Sequence, residues 1–221
     1  MKTIIIVAIT ACLFGSASPV LALDTSAPPN IHNYGVRHPD GSASYIHEYN
    51  TPGSLESTHD LDCIGADQVK NKYTPADLYK AVAKCVTTGR YEDGAFLFQL
   101  AGVYGRFDAR RVEDKTAHQA ITALIMATFM GLDQDKKITL SKNIKAITGN
   151  PEDLATMCKE VERIGPPDYF PRYMIQHGMT AIRRSLGGTP NDNGGDGLVK
   201  NFDAKTAWQQ SLASYLHCPG R

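Results

Sequence analysis

Apolar positions follow two regimes along the chain. From residue 74 onward they recur at helical spacing, and before residue 60 they do not. Thr74, Pro75 and Asp77 predict a helix start: a capping hydroxyl, a proline at the first helical position and an acid three residues past the cap. Leu78, Val82, Cys85 and Val86 then share one face, and Gly89 ends the helix. Asn150, Pro151 and Asp153 repeat the device ahead of a face made by Leu154, Met157, Cys158 and Val161, which Gly165-Pro166-Pro167 stops. Asp203 caps a last helix whose buried side is Trp208, Leu212, Tyr215 and Leu216.

Further helices lie between these. Residues 91 to about 111 are apolar nearly all round in the middle (Phe96, Leu97, Leu100, Val103, Tyr104), the pattern of a central helix. Residues 116–130 carry a stripe of Ala117, Ala120, Ile121, Leu124 and Ala127. Leu140, Ile144 and Ile147 mark a short helix, and Ile175, Met179 and Ile182 another, with Pro171 in its first turn. The fold class this predicts is all-α: a compact bundle of about seven helices arranged as helix hairpins. Residues 85–101 (CVTTGRYEDGAFLFQLA) look like the junction of a tetratricopeptide helix pair, but no second copy follows at a fixed period, so a bundle is favoured over a solenoid.

Residues 23–60 form an N-terminal arm. Within it, 33–49 (NYGVRHPDGSASYIHEY) has a Pro-Asp-Gly turn flanked by Tyr, Val and Ile, which predicts a small β-hairpin. His32, His38, His47 and His59 are irregularly spaced and match no metal-ligand pattern, so they are read as solvent-exposed.

The first 22 residues change the compartment. Lys2, the eleven-residue apolar run Ile4–Phe14, the breakers Gly15, Ser16 and Pro19, and the small residues before Leu23 predict a secretory signal peptide cut after about Ala22. The domain scheme is then 1–22 signal peptide, 23–60 arm and 61–221 helical domain, with the protein expected in the periplasm. Cleavage leaves 199 residues, enough for a single core, with 22 basic against 23 acidic side chains. That balance excludes electrostatic steering to nucleic acid, and no later stretch is apolar enough to span a membrane.

Cleavage also removes Cys12, leaving Cys63, Cys85, Cys158 and Cys218. An even count in an oxidising compartment predicts two disulfides. Four cysteines allow three pairings, among which the sequence does not choose. The expected one is Cys63–Cys85 with Cys158–Cys218, since both close modest loops and the second ties down the C-terminus. The spacing does not suit zinc.

Chemistry is hard to find. The densest cluster is 101–119 (AGVYGRFDARRVEDKTAHQ), where a buried helix passes into paired charges: Asp108 with Arg111, and Arg110 with Asp114. Asp114 could orient His118, but no nucleophile lies nearby and there is no G-x-S-x-G. Glu92-Asp93, Glu113-Asp114 and Glu152-Asp153 are adjacent carboxylates, which point to different sides of a helix. The loop 187–197 (GGTPNDNGGDG) fails the calcium-loop template. No catalytic, cofactor or metal residue is expected. A binding surface is: Tyr104, Arg106, Asp108, Arg110 and Arg111 have the composition of interface anchors, placed at the edge of a partner-binding face.

Residues 73–120 resemble a family of small exported helical proteins of Gram-negative bacteria found in type VI secretion loci. Some of these serve as periplasmic immunity proteins for phospholipase effectors. The resemblance implies a protein that binds a toxin encoded nearby and blocks its site, and it brings no catalytic motif with it. The expected function is therefore an exported, non-catalytic binding protein. The alternatives are a periplasmic scaffold or adaptor, and a hydrolase.

Overall fold

A computed structural model describes residues 30–37, 43–188 and 195–218 of the chain. The expected signal peptide, the Pro39-Asp40-Gly41 turn and most of the 187–197 loop lie outside the described residues. Strands β1 (Asn30–Arg37) and β2 (Ala43–Asn50) pair antiparallel with Tyr34 opposite Ile46, the hairpin predicted for this stretch.

The rest is helical. Eight α-helices are described: α1 (Pro75–Thr87), α2 (Tyr91–Arg111), α3 (Ala120–Met130), α4 (Gln134–Gly149), α5 (Pro151–Ile164), α6 (Arg172–Ile175), α7 (Met179–Ser185) and α8 (Ala204–Ser211). A π-turn (Leu212–Leu216) continues α8. The all-α class is as predicted. Among the described residues no helix is long and apolar enough to cross a membrane.

Helix α2 is the axis. Helices α1, α4 and α8 and the π-turn pack around it, and Leu97, Leu100, Ala101, Val103 and Tyr104 are wholly buried. Gly102 lets the π-turn come close: a Cβ there would lie 2.1 Å from the Tyr215 ring. The predicted faces of α1 and α5 are the buried ones, with Leu78, Val82, Cys85 and Val86 fully inside and Met157, Cys158 and Val161 nearly so.

Three elements differ from expectation. Helix α4 runs sixteen residues rather than a short stretch, although only Leu140 is buried. The segment expected as one helix around Ile175–Ile182 is two, α6 and α7, with Pro171 before the first. They part at Gly178, whose backbone is extended and where a Cβ would sit 2.5 Å from Asp114 Oδ2. The stripe over 116–130 holds at Ala117, Ala120 and Leu124 and slips at its end: Ala127 is exposed, and Thr128 is buried instead, its hydroxyl satisfied by donating to Leu124 O at 2.8 Å.

The disulfides are Cys63–Cys85 and Cys158–Cys218, the expected pairing. They mark an oxidising compartment. The first ties the segment before α1 to that helix, and the second ties the C-terminal residues to α5.

The segment 51–60 is strapped to the helical body. Its anchor is Asp77, the capping-box acid of α1, which is fully buried. The Asp77 carboxylate accepts from the backbone N–H of Thr58 (2.6 Å), His59 (2.8 Å) and Thr74 (2.8 Å), from Ser57 Oγ (2.8 Å) and from Thr58 Oγ1 (3.0 Å). His59 Nδ1 lies 3.2 Å away, so His59 is partly buried against this acid rather than free in solvent. Burial pushes the Asp77 carboxyl up, but the hydrogen bonds from His59, Thr74 and Ser57 outweigh it and hold it below its ordinary value. An unfolded Asp titrates at about 3.9. The stabilisation from this cage is therefore full above about pH 4 and is lost as pH falls through the lower folded value. Asp77→Ala is expected to cost about 2–3 kcal/mol in urea unfolding at pH 7. The deficit should shrink near pH 2, and an equal deficit at both pH values would contradict this account.

Candidate functional site

The charged stretch 101–119 divides at Arg111. Helix α2 ends there, and Asp114 caps a following 3-10 turn (Lys115–Gln119) by accepting from Thr116 N at 2.9 Å. Asp114 also accepts from Thr180 N at 2.8 Å, which ties α7 to this turn. Arg110 does not pair with Asp114. It donates to Gln210 Oε1 on α8 at 2.8 Å. Nor does Asp114 orient His118, whose Nε2 lies 3.1 Å from Val112 O.

Asp108 sits where α2 meets α6 and the segment before it, fully buried. It accepts from Tyr173 OH at 2.7 Å and Tyr169 OH at 2.9 Å on one oxygen, and from Arg111 Nε at 2.9 Å on the other. Arg111 Nη2 lies 2.7 Å from that second oxygen at an angle that gives an ion-pair contact without hydrogen-bond alignment. The Arg111 guanidinium is held between two rings, 5.2 Å from the centre of Phe107 and 5.1 Å from that of Tyr169. Burial pushes the Asp108 carboxyl up, opposed by Arg111 and the two tyrosines, while both tyrosine hydroxyls are pushed well above their ordinary value by burial and the nearby carboxylate. This is a buried ion pair inside the core, with both carboxylate oxygens hydrogen-bonded and Arg111 Nη2 left without an aligned acceptor.

The five residues expected at the edge of a partner face are thus mostly interior. Tyr104 is fully buried and donates to Gly165 O at 2.9 Å, Asp108 is fully buried, and the Arg111 side chain is 12% exposed. The cause is the central position of α2: its last turn is covered by α6, Tyr169 and α8 instead of facing water. Arg106 and Arg110 are exposed, and both lean on the C-terminal elements, Arg106 lying 5.6 Å from the Tyr215 ring centre.

Two surfaces were missed in sequence. The first is α3. Nine of its eleven residues are apolar, yet only Ala120, Leu124 and Thr128 are buried. Met126 is 60% and Met130 78% exposed, on one face with Ala127. Beside this face a groove of about 550 Å³ runs between α1 and α3, lined by Tyr79, Lys80, Leu124 and Ala127 and bordered by residues 55–57. The second is a groove of about 460 Å³ among α4, α5 and the first turns of α2. Phe96, Ile147 and Met157 give its apolar lining, and Glu92, Asp153 and Glu160 its charge.

One nucleophile–base pair was also missed, because its members lie 123 residues apart. Ser54 Oγ is 3.1 Å from His177 Nδ1, next to Leu55 in the left-handed region at φ 56. Among the described residues no group of histidines, cysteines and acids is placed to hold a metal ion. Comparison with protein-family models, with curated proteins and with solved structures finds no match for this chain.

Proposed function

We propose that this is an exported, non-catalytic binding protein that acts as an immunity protein, holding a secreted phospholipase-type effector in an inactive complex. The observation that carries the binding reading is α3. A helix with exposed methionines beside an open groove is a poor solvent surface and a good contact surface, since flexible thioethers repack against a partner. Two disulfides and the buried Asp108–Arg111 pair make the body behind it rigid, which lowers the cost of ordering on binding. The sequence resemblance over residues 73–120 supplies the kind of partner.

The test is co-purification with the effector encoded beside the gene. Met126→Glu and Met130→Glu together are expected to weaken that complex more than tenfold and to leave the melting temperature within about 2 °C, because both side chains already face water. A complex as tight as the parent's would place the contact elsewhere.

The Ser54–His177 pair favours a second reading, a hydrolase. Hydrolysis by this pair would also need a group that orients the imidazole and a donor set for a developing oxyanion. Phospholipid or ester turnover by the purified chain that disappears in Ser54→Ala would establish this reading over the first.

A further inference from the structure

We propose that the groove among α4, α5 and the first turns of α2 receives a basic segment of the partner protein, one that carries a bulky apolar side chain between cationic ones. This rests on the binding reading above and adds to it a second contact of different chemistry.

The groove combines an apolar lining with an acidic rim. Its lining is apolar where the helices part: Phe96 and Ile147 are half-buried, Met157 is nearly buried, and the small side chains of Ala66 and Ala146 leave depth between them. Around this lining stand three carboxylates, with one cation, Arg163, at the rim beside Ala66. Glu160 is committed to Arg163, with Nε 2.8 Å from Oε2, and Arg163 turns its Nη2 to Ala66 O at 3.0 Å. Glu92 and Asp153 have no ion-pair partner among the described residues.

Each of those two acids stands in the first turn of its own helix, where the N-terminal dipole favours it. The dipole explains each acid singly. It does not explain why acids from two helices meet over one apolar slot. A metal ion is a poor occupant, since these acids do not form a group that could hold one. A free apolar ligand would leave the charge unanswered. A Lys- or Arg-flanked Leu, Ile, Phe or Trp satisfies both, the long basic stems lying along the apolar rim with their charged ends at the carboxylates.

The test is selection of a displayed library of short random peptides on the immobilised full chain, followed by titration of an enriched synthetic peptide. Enriched sequences are expected to place Lys or Arg on both sides of a bulky apolar residue. Affinity should fall more than tenfold in Ala146→Arg, which fills the slot, and in the double variant Glu92→Lys, Asp153→Lys. It should also fall steeply with added salt. All three positions are exposed, so the melting temperature should hold in Ala146→Arg and fall by only a few degrees in the double variant, where each lysine opposes a helix dipole. Enriched peptides without basic residues, no enrichment at all, or undiminished binding to Ala146→Arg would each overturn the proposal. So would groove variants that lose the peptide but bind the effector as tightly as the parent, and that outcome leaves the binding reading standing. The α3 variants report on the binding reading alone.

Discussion

Asp108→Ala is expected to cost about 3–5 kcal/mol, a large share of the stability of a domain this size. The loss comes from what is left behind. Arg111 would keep its guanidinium between the Phe107 and Tyr169 rings with no counter-charge, and the Tyr169 and Tyr173 hydroxyls would lose their shared acceptor. Replacing both charges, with Asp108→Leu and Arg111→Met together, should recover only the part due to the unpaired Arg111 charge, because the Tyr169 and Tyr173 hydroxyls still lack their acceptor. Urea unfolding of the parent, the single variant and the double variant reads both numbers. A single-variant loss under about 1 kcal/mol would show that Arg111 finds another partner or reaches water. The pH signature separates this site from the Asp77 cage. A carboxyl raised by burial stabilises the folded state at low pH, and that contribution fades as pH rises through its folded value. Asp108→Ala should therefore cost more on the acid side of the stability profile than at neutral pH, whereas the deficit of Asp77→Ala shrinks there.

Removing either disulfide should be nearly as costly, and the two should differ in order. The bonds join cysteines 22 and 60 residues apart. On the chain-entropy relation, closing loops of those lengths contributes about 3.4 and about 4.3 kcal/mol. Replacing Cys158 and Cys218 with Ser should thus lower the melting temperature more than replacing Cys63 and Cys85, each by roughly 10 °C. Scanning calorimetry of the two double variants checks the order. The reverse order would mean that native packing around Cys63 and Cys85, not loop length, dominates.

What could be read in the sequence, and what could not, follows from the range of the forces involved. Helix α1 was legible almost to the residue, because Thr74, Pro75 and Asp77 act on the backbone within one turn and its apolar face repeats without interruption. The pairing of Asp108 with Arg111 was legible too, but its burial was not. A pair three apart looks the same on a wet helix and a dry one, and what dries this one is Tyr169 and Tyr173, more than sixty residues away. The break between α6 and α7 is of the same kind, since Gly178 is extended where it meets Asp114. Helix α3 was legible only in part, for the opposite reason: Ala117, Ala120 and Leu124 are buried as read, but a segment apolar on nearly every side carries little phase, and the reading slips by one position at Ala127. The acid-rimmed groove had no signature at all. Glu92 and Asp153 were visible as helix-start acids, and only the packing of α4 on α2 and of α5 on α4 brings them to one slot.

The position of α2 also sets an order of events as the chain emerges from its N-terminus. The surface of α2 around Gly102 and Phe107 is finally covered by Trp208 and Tyr215, about a hundred residues later in the chain. Until those residues appear the hairpin of α1 and α2 can form, with Cys63–Cys85 tying the preceding segment to α1, while the other side of α2 stays uncovered and Cys158 waits for Cys218. A chain released before its last twenty residues would therefore carry a finished first disulfide, a free thiol at Cys158 and an open apolar flank, the combination that quality-control proteases and chaperones engage.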